Sequence, residues 1–434
     1  MATIRFNDAL KQAIDLVSHW HESLPSNPVL VRDLHGRIRV ALDVSDDDEK
    51  FLASLAPLAD TLHKALGAFT YPKKHLFLFQ EDLPDPEHFF QSPELQPLQW
   101  KENKPVLYLL ERQVTGQDWL TPCQEATSRI PPRFTLFGLK GGVGRSTALA
   151  IWAWHLAQQG RKVLIIDLDL ESPGIGSTLL PSDKFPDFGV VDWFIESAVD
   201  QGDTVIPNMV ADGPIYQLGK GSIRVVPAFG LEEPEYLAKL ARCYQGIPSK
   251  KGPISWAKRL ESLVAALEQQ EKPDVVLLDS RAGLHDIAAA TITQLNATAL
   301  LFAVDTPQTW SGYRHLFQNW THHPQRDKLR SRLQIVAAMV PDINDPTYLE
   351  SFQVQSHKLF SSTIYEEDGR SAAFNFSLRD DSAPHTPWNI LWMSGLQSFD
   401  PLNADRVVSS RTLNAAMGEF FERADLFLED IPNS

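Results

Sequence analysis

Apolar and polar positions follow two different patterns along the chain, and the pattern changes near residue 133. Before residue 116, segments with helical spacing are mixed with short apolar segments. They predict helices over 5–22 and from Ser45, as N-cap, to about Leu66, a hairpin over 29–42, and strands at 75–79 and 106–110. We therefore expect an N-terminal α+β domain over residues 1–115, with a docking or partner-recognition role.

From residue 133 onward, short continuous apolar runs alternate with amphipathic helical segments. The runs lie at 134–137, 162–167, 223–227, 275–279, 298–304 and 333–340. A continuous apolar run is typical of a strand that is buried on both faces of a parallel sheet. Residues 133–434 are therefore predicted to form an α/β domain, with a mostly parallel sheet flanked by helices.

Two further segments complete the predicted organisation. Residues 116–132 end in two prolines and predict a linker between the domains. Residues 365–408 are rich in Asp, Ser, Pro and aromatic residues without a clear period, which indicates an irregular C-terminal extension. An amphipathic helix is predicted over 409–428.

A glycine-rich stretch joins the first strand of the second domain to its helix. It reads Lys140, Gly141, Gly142, Val143, Gly144, Arg145, Ser146 and Thr147. Glycines let successive backbone N–H groups turn toward a bound anion, and the N-terminus of the following helix adds partial positive charge. The stretch therefore predicts a phosphate-binding loop.

Arg145 stands where such a loop usually carries lysine. Arginine keeps the positive charge and can bind phosphate through two N–H groups, but its planar fork is larger than an ammonium group. We therefore expect nucleotide binding to persist and hydrolysis to be slower.

Aspartates follow two of the predicted buried strands. Asp167 and Asp169 end the strand at 162–167, and Asp279 ends the strand at 275–279. Alone, such residues would be interpreted as helix caps or turns. Next to a phosphate loop, buried carboxylates that need a compensating cation predict a hydrated Mg²⁺ site.

Taken together, the loop, the paired aspartates and the segment from Asp279 to Gly283 resemble the motifs of the deviant Walker-A P-loop ATPases of the ParA/MinD family, over roughly residues 133–345. The resemblance implies that Lys140 reaches the phosphates of the partner subunit in an ATP-dependent homodimer. It also implies that Asp169 orients or activates the attacking water. Both residues are therefore predicted to be catalytic.

The same resemblance implies a set of binding residues. The implied magnesium ligands are Ser146, Asp167 and Asp279. The implied nucleotide contacts are the loop residues 140–147, the Gly283 amide near the γ-phosphate, and backbone contacts to adenine from Val340, Pro341 and Asp342. Proline is common in the family at the position of Arg281, which is interpreted either as a contact to a partner or a phosphate, or as a surface residue.

These features predict a Mg-ATP-binding, slowly hydrolysing ATPase that forms a nucleotide-dependent dimer and switches the interaction with an unidentified protein partner. Two alternatives stay open. Arg145 favours a non-hydrolysing, nucleotide-sensing subunit of a multi-component assembly, such as a prokaryotic defence system. The second alternative is a tyrosine kinase on the same fold. The eight tyrosines of the chain form no C-terminal cluster that such a kinase could phosphorylate.

Charge and composition narrow the classes of partner. The net charge of −15 argues against broad electrostatic capture of nucleic acid or an anionic membrane, although a local basic patch on a dimer stays open. The two cysteines, Cys123 and Cys243, are far apart in the sequence, which indicates neither a disulfide framework nor a zinc or iron–sulfur site. No apolar stretch reaches the length that a membrane-spanning helix requires. We expect a cytoplasmic protein. His322 and His323 lie in a polar segment before proline and are predicted to be solvated.

Overall fold

The computed structural model describes residues 4–20, 23–25, 27–92, 94–101, 104–113, 116–122, 131–213, 220–231, 235–249, 253–341, 346–366, 374–397, 399–403 and 408–430. The chain divides into two units, Met1–Gln117 and Asp118–Ser434.

The first unit is an α+β structure. In chain order its helices and strands are α1 (Phe6–Trp20), β1 (Val29–Arg32), β2 (Ile38–Ala41), α2 (Glu49–Leu66), β3 (Phe77–Leu78), α3 (Pro86–Phe90), β4 (Gln96–Lys101) and β5 (Lys104–Glu111). The sheet order is β3-β2-β1-β5-β4, with β1 antiparallel to β2 and parallel to β5. The apolar faces of α1 and α2 form one core with this sheet.

Two details of the first unit differ from the sequence predictions. The N-cap of α2 is Asp48 rather than Ser45, because the Asp48 carboxylate accepts the backbone N–H groups of Lys50 and Phe51. Strand β4 is not among the predicted elements. It forms by antiparallel pairing with β5.

The second unit contains the predicted alternation of strands and helices. Its elements are β6 (Arg133–Gly138), α4 (Arg145–Gln158), β7 (Lys162–Leu168), α5 (Ile175–Leu179), α6 (Val190–Ser197), α7 (Gly202–Val205), β8 (Ala211–Asp212), β9 (Ser222–Val226), α8 (Tyr236–Cys243), α9 (Trp256–Glu271), β10 (Val275–Ser280), α10 (Asp286–Thr293), β11 (Thr298–Ala303), α11 (Pro307–Trp320), α12 (Arg326–Arg330), β12 (Leu333–Val340), α13 (Pro346–Ser361), β13 (Trp388–Leu391) and α14 (Ser410–Asp430).

These strands form one sheet in the order β13-β12-β11-β6-β10-β7-β9-β8. Neighbouring strands are parallel except for the short antiparallel pair β8 and β9. Helices α4 and α14 pack on one face of the sheet, whereas α9, α11 and α13 lie on the other. The prediction of an α/β fold with a mostly parallel sheet is confirmed, and the carboxyl ends of β6, β7 and β10 meet at one edge.

Strands β8 and β13 were not predicted. β13 lies within the segment expected to be irregular, where its four residues are too few to show a period, and it forms only by adding to the edge of β12.

Within the predicted linker, Trp119 is buried against Phe137 and Trp320 of the second unit, with ring centroids 6.0 Å away in both cases. Residues 123–130 of that segment lie outside the described residues.

The prediction of a solvated His323 is wrong. Its side chain is buried, and Nδ1 accepts the backbone N–H of Gln325 at 3.0 Å. Burial lowers the pKa of His323 to about 4.

Among the described residues, no helix combines the length and the apolar character that crossing a bilayer requires.

Candidate functional site

The loop between β6 and α4 has the backbone shape of an anion-binding turn. Gly142 and Gly144 adopt φ values of 73° and 79°, a left-handed conformation that residues with a side chain rarely adopt. A β-carbon built at Gly141, Gly142 or Gly144 would meet no atom within 4 Å. Gly144 is also the N-cap of α4 and offers no side-chain cap to its first N–H groups. The loop is therefore open above a helix N-terminus with backbone donors for an anion.

Arg145 is buried below this loop. Its guanidinium donates to the backbone carbonyl of Ser280, and one terminal nitrogen lies 4.0 Å from Asp169 Oδ2. Gly138 makes room for the arginine stem, because a β-carbon there would lie 3.1 Å from Arg145 Cδ. In this conformation the Arg145 side chain therefore contacts the carboxyl end of β10 and lies close to the carboxyl end of β7. Its predicted contact with nucleotide stays a prediction.

The three predicted acidic residues come together next to the loop. Asp167 and Asp279 are opposite each other in the register of β7 and β10, and each is only 1% exposed. Asp167 accepts the backbone N–H of Asp169 at 3.2 Å. Oδ1 of Asp169 and Oδ1 of Asp279 are buried and have no hydrogen-bond partner among the described residues. These unsatisfied oxygens fit a cation at the site.

The electrostatics of the site also fit a bound cation. Burial raises the pKa of Asp279 to about 6, against the opposing effects of the Ser146 hydroxyl and the Arg145 charge. Burial and the charge of Asp279 raise the pKa of Asp167. Burial raises the pKa of Asp169 as well, partly offset by Arg145. The pKa values of all three carboxyl groups are therefore raised, although Arg145 and Arg281 both act to lower the pKa of Asp169.

The predicted magnesium ligands are few in number. This suits Mg²⁺ better than an ion that is held mainly by protein side chains. Within the described part of the chain, no group of three or more His, Cys, Asp or Glu side chains is arranged to hold a metal. Mg²⁺ usually keeps several waters and takes one or two protein ligands together with phosphate oxygens. Ser146, hydrogen-bonded to Asp279, can supply a hydroxyl in such a shell.

Lys140 is the first residue of the loop, and Gly283 contacts the strand that precedes the loop. The exposed Lys140 ammonium donates to the side-chain oxygen of Gln308 at the start of α11. Gly283 has a φ of 89°, and its N–H donates to the Gly138 carbonyl at 2.9 Å. The segment after β10 is therefore tied to the strand that carries the loop. Val143 and Thr147 are half-buried at the loop and at the first turn of α4.

The predicted adenine contacts fall at the carboxyl end of β12. Val340 is the buried last residue of that strand, and Pro341 is exposed just beyond it. Asp342 lies outside the described residues. The strand end is irregular, because Met339 has a φ of 56° and the pairing with β13 shifts register between Ala337 and Val340.

Sequence reasoning missed Glu171, which connects three elements near Asp169. It accepts the Tyr244 hydroxyl at 2.7 Å, forms an ion pair with Arg281, and lies 3.8 Å from His285 Nε2. Arg281 is therefore held by a carboxylate. No motif could have indicated this cluster, because its members are 73 or more positions from Glu171.

The match to a known protein family covers a short part of the chain, and that part includes residues of the site. Residues 132–172 match the family model described as cellulose biosynthesis protein BcsQ. That stretch contains the loop, α4, β7, Asp167 near the end of β7 and Asp169 just beyond it. No curated protein matches the chain.

Several solved structures are similar at low identity. A putative plasmid partition protein from Borrelia burgdorferi B31 bound to AMPPNP is 15% identical, with a TM-score of 0.43, and covers 70% of this chain and 100% of its own. A Cyanothece McdA variant in complex with ATP is 16% identical, with a TM-score of 0.41 and coverages of 70% and 100%. The pNOB8 ParA is 15% identical, with a TM-score of 0.40 and the same coverages.

The family model coincides with the part of the chain that carries the loop and the first pair of aspartates. The sheet places the third aspartate beside them. The predicted resemblance of this chain to the P-loop ATPases of the ParA/MinD type is confirmed.

Proposed function

We propose that the chain is a Mg-ATP-binding ATPase with slow turnover that forms a nucleotide-dependent dimer and thereby switches a partner interaction. The observation that supports this most strongly is the position of the open loop. It lies at the same sheet edge as two buried carboxylate oxygens that have no partner among the described residues. Phosphates and a divalent cation together would satisfy both features.

Each residue has a specific task in this proposal. The backbone of 141–144 and the first turn of α4 bind the phosphates, with Thr147 on the α-phosphate. Ser146, Asp167 and Asp279 would hold Mg²⁺, which would supply positive charge at the phosphate oxygens.

Asp169 positions the attacking water through Oδ1, for which the described part of the chain offers no hydrogen-bond partner. Lys140 leaves Gln308 and contacts the phosphates bound to a second copy of the chain. Gly283 contacts the γ-phosphate by its amide, and the end of β12 contacts adenine.

Slow turnover follows from the place of Arg145. Its guanidinium is bound to the Ser280 carbonyl and close to Asp169, so it must be displaced before it can contact phosphate oxygens. A charge that is engaged elsewhere gives less stabilisation to the transition state of phosphoryl transfer.

The dimer provides the direct test of this proposal. Size-exclusion chromatography with light scattering should give a monomer mass without nucleotide and twice that mass with ATP and Mg²⁺. Lys140→Ala should bind ATP and stay monomeric. Lys162→Ala, an exposed lysine at the other end of the sheet, is the matched control and should dimerise. A wild-type chain whose mass does not respond to Mg-ATP would contradict the dimer.

The buried position of Arg145 also favours a second candidate, a nucleotide sensor that binds ATP without meaningful hydrolysis. Phosphate release by wild type and by Arg145→Lys distinguishes the two. Measurable wild-type release supports the slow ATPase. No release from wild type, with release restored in Arg145→Lys, supports a sensor in which arginine blocks hydrolysis.

A further inference from the structure

We infer that Trp392 stacks on the purine base of the bound nucleotide and is a base-binding residue of this site. This inference rests on the proposed function, because it requires phosphates in the loop after β6. It adds a side-chain contact at the end of the sheet where the predicted adenine contacts were backbone groups alone.

The position of Trp392 follows from the pairing of β12 with β13. The two strands are parallel, and Leu391 is opposite Val340. The backbone N–H of Trp392 donates to the Val340 carbonyl at 2.8 Å. Trp392 therefore lies just beyond the carboxyl end of β13, on the same sheet edge as the phosphate loop.

The distance from the loop suits a nucleotide. Strand β12 is two strands away from β6, which carries the loop, with β11 between them. Neighbouring strands are about 4.8 Å apart, so the end of β12 is roughly 10 Å from the end of β6. Trp392 follows β13, which is three strands and roughly 14 Å from β6. A ribose spans the first of these gaps between the phosphates and the base, and the large indole side chain of Trp392 can contact the base from the adjacent strand. Val340 and Trp392 thus lie where the base of a loop-bound nucleotide would be.

The exposure of Trp392 points to a ligand. Trp392 is 43% exposed, which is more than any other tryptophan whose side chain the structure describes. Trp388, four residues earlier on β13, is only 5% exposed. An indole ring offers a large flat face, and such faces stack on nucleobases.

The irregular end of β12 gives independent support. Met339 adopts a left-handed conformation that costs energy for a residue with a side chain. The register shift between Ala337 and Val340 brings Val340, rather than Met339, opposite Leu391. Bulges of this type redirect a strand end and are common next to active sites. Here the bulge places the Val340 carbonyl against the Trp392 amide and fixes the position of the tryptophan.

Stacking uses the face of a base, which adenine and guanine share. The Trp392 contact therefore contributes affinity for any purine nucleotide and does not discriminate between the two. Inorganic tripolyphosphate carries the phosphates without a base, so its affinity for the loop should not depend on Trp392.

The test compares ATP with inorganic tripolyphosphate, both with Mg²⁺, in calorimetric titrations of the full chain. Trp392→Ala should bind ATP about tenfold more weakly, within the range that base stacking on aromatic side chains gives. Tripolyphosphate affinity should be unchanged, and Trp392→Phe should stay within about threefold of wild type for ATP. Leu426→Ala, which removes an exposed apolar side chain from α14, is the matched control and should leave both ligands unaffected.

The results of these titrations distinguish a failure of the stacking inference from a failure of the proposed function. Equal ATP affinity in wild type and Trp392→Ala would overturn the stacking inference while leaving the proposed function intact. Equal losses for ATP and tripolyphosphate would also overturn it, because the effect would then be on the loop. Absence of binding of both ligands by wild type would instead refute the proposed function. Protection of a tryptophan from acrylamide quenching by ATP, absent in Trp392→Phe, would support the inference.

Discussion

Replacing Asp279 with asparagine should stabilise the nucleotide-free protein at neutral pH. Asp279 is 1% exposed and lies opposite Asp167, which is also buried, so its ionised form is unfavourable in the folded state. Its pKa is raised from 3.8 to about 6. A raised carboxyl pKa means that the folded state binds the proton more tightly, so the contribution of Asp279 to stability is fully present below the unfolded pKa of 3.8 and is lost as pH rises through the folded pKa of about 6.

The magnitude follows from the two pKa values. Ionisation of Asp279 lowers the free energy of unfolding by about 3 kcal/mol at pH 7.5 and by about half of that at pH 5. Asparagine removes this cost but leaves a buried amide incompletely hydrogen-bonded, at about 1 kcal/mol. The expected net gain is therefore about 2 kcal/mol at pH 7.5 and less than about 1 kcal/mol at pH 5.

Urea unfolding in EDTA, followed by tryptophan fluorescence, measures this difference. Asp274→Asn is the matched control, because Asp274 is an exposed aspartate just before the start of the same strand. It should show no such gain. The same Asp279→Asn protein should lose the stabilisation that Mg-ATP gives to wild type. A variant less stable than wild type at pH 7.5, or a gain that does not shrink at pH 5, would refute this reasoning.

Three further predictions follow from the site and its surroundings. Asp169→Ala should give an ATP-bound dimer by light scattering with little phosphate release, and wild-type turnover in that variant would exclude Asp169 from the mechanism. Because the pKa of His323 is lowered, the free energy of unfolding should fall by about 3 kcal/mol as pH drops from 6.5 to 4. In acid titrations followed by circular dichroism, His323→Leu should show a smaller fall. An equal fall in wild type and variant would contradict a neutral buried histidine. Glu268→Ala should cost about 3–5 kcal/mol in urea unfolding, because it leaves the buried Arg133 unpaired, and a loss below 1 kcal/mol would contradict that pairing.

The sheet of the second unit could be predicted because its strands are buried on both faces. Residues 162–168 and 275–280 are almost wholly buried, so each contains a continuous apolar run that is followed by an aspartate. The approach of Asp167 to Asp279 also follows, since carboxyl ends of parallel strands share one edge. β13 could not be predicted, because its existence depends on pairing with β12.

The direction of the Arg145 side chain could not be predicted from the loop motif. It depends on the space beside Gly138 and on the Ser280 carbonyl, which belong to two different strands. The Glu171 cluster is a tertiary arrangement of the same kind. His323 was misjudged because a polar sequence neighbourhood does not report the packing around a residue.

Binding of ATP itself tests the central claim most directly. Isothermal titration of the wild-type chain with ATP should give saturable binding in Mg²⁺ and much weaker binding in EDTA. Ser146→Ala should lose most of the magnesium dependence, whereas Ser262→Ala, an exposed serine on α9, should behave like wild type. If ATP does not bind to the wild-type chain in Mg²⁺, the assignment of residues 140–147 as a phosphate-binding loop is wrong.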